Sequence, residues 1–213
     1  MTRATKRPVS IVLWLFVIEG IVVLLLIPGH WMRDVIRTEH DWLWRGMGAE
    51  SAAWVEHTAL DWYTGAVVDT GTLDATYNHL LPTPEQISHA HGMEHIGDHW
   101  FPLVESRLDA LFATIYQVFV RLALLVSWLP FLTITAAPAI LDGMMAWRIR
   151  QQSFAYTSPM VHRFAMQAAV WSCAVLVLIL FVPFPISPTV FPILGVVLIL
   201  ALARIAANTQ KRV

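Results

Sequence analysis

Four long apolar blocks constrain this chain more than any other feature: Val9–Ile27, Leu111–Ile140, and stretches over about 164–182 and about 190–207. Runs of that length are costly to leave in water. At about 1.5 Å per helical residue, each is long enough to cross a hydrocarbon layer of roughly 30 Å. The composition agrees. Of 213 residues, 57% are hydrophobic and only 14% charged, against about 25% charged in an ordinary soluble domain. The expected fold class is an all-α membrane protein: four transmembrane helices, with a helical extracytoplasmic lobe between the first and second.

The first block carries one charge, Glu19, and follows Arg3, Lys6 and Arg7, which also suit a signal-peptide n-region. It is longer than a signal h-region, and Pro28-Gly29-His30-Trp31 lacks the small-residue cleavage pattern. Residues 1–27 are therefore expected to remain as a tail and anchor. The second block contains Arg121, Pro130 and Pro138. Thirty residues exceed one pass, so this span, assigned to 108–140, should be tilted, kinked near Pro130 or protruding. Thr133 and Thr135 lie where they can satisfy backbone groups disturbed by the prolines. The last two blocks form a hairpin over 164–207 around the uncharged turn Pro183-Phe184-Pro185-Ile186-Ser187-Pro188. Gly195 and Ala201 are small enough to let helices approach closely.

Nine of the 14 basic residues fall on one side of such a four-span chain: Arg3, Lys6, Arg7, Arg148, Arg150, Arg163, Arg204, Lys211 and Arg212. Basic residues mark the cytoplasmic side. Both termini, the connector 141–163 and the tail 208–213 are then cytoplasmic, and 28–107 lies outside. That 80-residue segment holds 12 acidic residues, eight of nine histidines and six of ten tryptophans. It is too short to build a large core alone, and its indoles favour packing against the membrane interface. Trp31, Val35, Thr38 and Trp42 recur at helical spacing. Trp54, Leu60, Trp62, Val67 and Val68 mark a second stretch, with Gly46 and Gly48 as the break. Thr83, Pro84 and Gln86 read as the start of a third helix.

The net charge of −1 and the two lysines argue against direct nucleic-acid binding through phosphate neutralisation. The single cysteine, Cys173, excludes an intrachain disulfide and a multi-cysteine zinc site. No P-loop, nucleophile elbow or dinucleotide fingerprint is present, so the chain is expected not to be an enzyme. Two constellations carry some chemistry. His91, His95 and His99 are spaced so that a helix would align them to share a metal ion such as zinc, completed by a carboxylate. The plainer reading is a solvated polar face broken at Gly92 and Gly97, with no cofactor. Glu19 and Arg121 are the charges nearest the membrane interior, where isolated charges are costly. Either they pair and fix the first two helices together, or Arg121 snorkels outward from a helix that meets the membrane nearer Val118.

The cytoplasmic connector is a candidate partner-binding segment through Trp147, Arg148, Arg150, Phe154 and Tyr156, since arginine and aromatics dominate interface hot spots. The plainer reading is that the arginines enforce topology and the aromatics mark the interface. From about Leu129 onward the chain resembles the membrane-protein family of integrating conjugative elements, a family of unknown function. The resemblance rests on Pro138 to Asp142, Trp147-Arg148-Ile149-Arg150, Ser153-Phe154-Ala155-Tyr156 with His162, and the hairpin around Pro183 to Pro188. It implies a non-enzymatic component of the bacterial inner membrane in conjugative DNA transfer by a type IV secretion system. Such proteins are encoded beside the TraD-type coupling ATPase, so the implied partners are that ATPase, other secretion components and membrane lipid, with 28–107 periplasmic. The alternatives are a metalloprotein using the histidine cluster, or a small transporter or immunity-type protein.

Overall fold

The computed structural model describes residues 14, 17, 18, 21, 27–81, 94–152 and 159–208, and every regular element among them is helical. In chain order these are α1 (Gly29–Met47), α2 (Ala49–Tyr63) running into a π turn (Thr64–Val68), α3 (Thr72–Leu80), α4 (Glu94–Gln152), α5 (Pro159–Phe181) and α6 (Val190–Ala207). The expected first span, Val9–Ile27, lies largely outside the described residues, as does the helix start at Thr83. Among the described residues, three helices are long and apolar enough to cross a membrane, within Trp100–Gln152, Met160–Phe181 and Val190–Ala207. Most of their most apolar stretches are unburied, as expected of side chains that face lipid.

The break expected at Gly46 and Gly48 falls at Gly48, whose φ of 81° favours a residue without Cβ. Around it α1 and α2 fold into a hairpin. Glu56 of α2 accepts from the Trp44 indole at 3.0 Å and pairs with the His40 ring. The inward face of α1 differs from the expected stripe. It is Met32, Val35, Glu39 and Leu43 that are buried, while Trp31 is exposed. Their spacing of three and four residues is one helical face, and it includes a carboxylate because an arginine faces it.

Helix α4 is 59 residues long, about 88 Å at 1.5 Å per residue and far more than one pass requires. It continues through Gly97, Pro102, Pro130 and Pro138. The hydroxyls of Thr133 and Thr135 do not serve the carbonyls that the prolines deprive of a donor four residues back. They bond instead to the carbonyls of Pro130, Phe131 and Leu132, the ordinary backward bond of a helical threonine.

The chain divides into two compact units, with the change in α4 at Ala123/Leu124. One unit combines Leu124–Ile179 with the chain from Pro188 onward. Within it, α4 and α6 run alongside each other in the same sense. Gly195 meets Leu132, Gly143 meets Ala203, and Arg150 meets the end of α6. A Cβ at Gly143 would lie 2.5 Å from the Ala203 carbonyl oxygen, so the backbones touch only because the side chain is absent. The other unit combines α1 to α3, α4 up to Ala123, and Leu180–Ser187, the turn between α5 and α6.

Candidate functional site

In this second unit, α1 lies along the first half of α4. Its start is pinned by the Gly29 N–H, which donates to Ser106 Oγ at 3.3 Å. Ten residues further along α1, Glu39 reaches Gln117 and Arg121 on α4. Ala110, Thr114, Gln117 and Arg121 of α4 are all buried. They recur at spacings of four, three and four, one face of the helix. The Thr114 hydroxyl satisfies itself on the Ala110 carbonyl at 2.7 Å.

Arg121 and Glu39 form a buried ion pair, with side chains 1% and 8% exposed. Arg121 Nη2 donates to Glu39 Oε1 at 2.5 Å and Nε donates to Oε2 at 3.3 Å, and Gln117 Nε2 also donates to Oε2. The remaining guanidinium donors turn to the hairpin turn. Nη1 donates to the carbonyls of Val182 at 2.7 Å and Leu180 at 3.3 Å, and Nη2 to that of Phe184 at 2.8 Å. Glu39 Oε1 in turn accepts the Ile186 N–H at 2.7 Å. Arg121 thereby places all five N–H donors. An unpaired guanidinium at this depth would carry a desolvation cost of several kcal/mol. Here the carboxylate offsets the charge, and the turn supplies the acceptors that a helix end exposes.

Trp31 reinforces the contact. Its indole N–H donates to the Pro183 carbonyl at 2.9 Å, and its ring packs edge-on against Phe184. Further from the turn, the Tyr77 hydroxyl donates to Asp109 Oδ1 at 2.6 Å, and its ring stacks on Phe112. Burial, followed by the Asp109 carboxylate beside it, holds the Tyr77 hydroxyl well above the ordinary tyrosine range.

Glu19, expected as a partner of Arg121, lies outside the described residues, as do His91, Phe154 and Tyr156. His95 and His99 fall on the first turns of α4, four residues apart. Among the described residues no group of three metal-ligating side chains comes together. Trp147 is half-buried, Arg148 is exposed, and Arg150 Nη1 donates to the Ala207 carbonyl at 3.1 Å and to Asn208 Oδ1 at 2.7 Å. This ties the end of α4 to the end of α6. Sequence reasoning missed Glu39. Its one signal was the spacing from Val35 and to Leu43, which puts a carboxylate in an apolar stripe.

A family model described as IncC plasmid conjugative DNA transfer protein DtrJ-like matches residues 32–210. No curated protein and no solved structure matches the chain.

Proposed function

This chain belongs to the DtrJ-like family of conjugative DNA transfer proteins, and from that premise we propose that it is a non-enzymatic scaffold of the bacterial inner membrane. It takes part in conjugative DNA transfer. Its specific work, on this reading, is to bind and organise the membrane part of the TraD-type coupling ATPase within a type IV secretion system. The motor's energy comes from that partner, since this sequence contains no nucleotide-binding motif.

One observation supports this reading above the others. Glu39 and Arg121 hold the turn between α5 and α6. On this reading the segment 28–107 lies on the same side of the membrane as that turn, and the connector 141–163 on the other. The basic residues of the connector and the C-terminal tail make that second side the cytoplasm. The buried charges point the same way. Arg121 spends its donors on Glu39 and the turn, which is the chemistry of a fastener and not of a reactive centre. Arg148 stays exposed on the cytoplasmic connector, where a motor anchored in the same membrane presents its membrane-proximal surface.

Two measurements test the reading. Reporter fusions near Glu56 and near Gln151 should fall in opposite compartments, and finding both in one compartment overturns the topology. Co-expressed with the coupling ATPase and extracted in mild detergent, the two proteins should co-migrate. Separate migration, with conjugation unchanged by deletion of this protein, rejects the scaffold role.

A further inference from the structure

Phe184 is 57% exposed at the tip of the turn between α5 and α6. It pairs edge-on with Trp31, ring centroids 6.1 Å apart and planes at 87°, and Trp31 is itself 42% exposed. The polar parts of this patch are already used. The Trp31 indole N–H is spent on the Pro183 carbonyl, the Phe184 carbonyl on Arg121, and the Ile186 N–H on Glu39. No residue from Val182 to Val190 carries a charge. What remains outward is a rigidly backed aromatic pair, continuous in the chain with two membrane-length helices.

We propose that Trp31 and Phe184 form one anchor seated in the headgroup-level zone of the bilayer, and that its occupant is lipid. The turn itself offers no charge, and Phe184 stands between two membrane-length helices, so lipid is the occupant that the course of the chain brings to it. The interfacial zone asks only for aromatic rings with satisfied polar edges at the ends of spans. The anchor fixes the depth at which α1 begins, so that the lobe starts at the membrane face. The inference rests on the reading of α5 and α6 as spans, and its test separates the two.

The full-length protein, with Cys173→Ser, is reconstituted in phosphatidylcholine–phosphatidylglycerol vesicles. An environment-sensitive fluorophore is attached at Phe184→Cys, at Leu200→Cys in α6, or at Glu50→Cys beside the α1–α2 turn. The label at 184 should emit to the blue of the label at 50 and resist aqueous iodide. A headgroup-attached nitroxide should quench it about twofold more strongly than a mid-chain nitroxide, as an interfacial position requires. Quenching by iodide and not by nitroxide lipids overturns the anchor. So does stronger quenching by the mid-chain nitroxide, and so does insensitivity to all three quenchers, which would mean that a second copy covers the patch. The label at 200 is the control for spanning and should respond to the mid-chain nitroxide. If it does not, the spanning reading fails. If it does while the label at 184 fails, the anchor alone is wrong.

Discussion

Arg121 shows how much one buried charge asks of its surroundings. Glu39→Ala would leave the guanidinium uncompensated, at an expected cost of about 3–5 kcal/mol. A lowered Tm of the detergent-purified protein would report it, with Glu39→Gln falling between alanine and the parent. For a simple ion pair, replacing both partners with apolar residues is often neutral. Here the double variant Glu39→Leu, Arg121→Met should stay well below the parent, because the carbonyls of Leu180, Val182 and Phe184 lose their donor. A parent-like Tm for the double variant would show that the turn does not depend on Arg121. Trp31→Phe keeps an aromatic ring, though a smaller one, and removes the hydrogen bond to Pro183, so at least about 1 kcal/mol should be lost, read in the same melt. Arg121 was marked in the sequence by its isolation in an apolar block. Its partner was not, because Glu39 lies 82 residues away, among Thr38, His40 and Asp41, where a carboxylate looks solvated. Only the fold brings those positions together.

Among the elements, helix existence was legible and helix facing was less so. The helical spacing of Trp31 to Trp42, the stretch from Trp54 to Val68 with the break at Gly48, and the last two apolar runs were enough to locate α1, α2, α5 and α6, because periodicity, length and backbone freedom are local properties. The rotation of α1 that exposes Trp31 and buries Glu39 depends on α4, which no local pattern reports. For α4 the sequence left tilt, a kink near Pro130 and protrusion open; the helix is 59 residues long and continues through both Pro130 and Pro138. The contact of α4 with α6 makes a sharp prediction. Gly143→Ala places a Cβ against the Ala203 backbone, which cannot swing away as a side chain can. A loss of about 1–3 kcal/mol is expected for such overpacking, measured as earlier unfolding in a detergent titration, while Gly46→Ala at an open position should change little. In the first half of α4, Asp109 joins it to Tyr77 of α3. The raised Tyr77 value means that its stabilisation is complete below the ordinary tyrosine pKa of 10.0 and is lost as pH rises above it. Tyr77→Phe should therefore lower stability at neutral pH and weaken the further loss on moving to strongly alkaline buffer, followed by near-ultraviolet circular dichroism.

For the whole molecule, the decisive prediction concerns which cell needs the protein. A transfer component acts from the donor, so deletion there should lower conjugation frequency and expression in the recipient should leave it unchanged. A reduction caused by recipient expression would instead indicate an immunity-type role. The resemblance to a conjugation-associated family was legible in the chain from about Leu129 onward, and the DtrJ-like match extends over residues 32–210. Its partner was not legible in the same way, since contact surfaces between proteins leave no periodic trace in one sequence. The seat that receives the turn also has an order in time. Ribosomes deliver Glu39 and Arg121 long before Leu180 to Ile186, so the receptor waits for a ligand that is synthesised later in the same polypeptide. A nascent chain arrested before α5 is finished would hold its carboxylate and guanidinium with one flank open. Full-length synthesis closes that flank with the carbonyls of Leu180, Val182 and Phe184 and the Ile186 N–H.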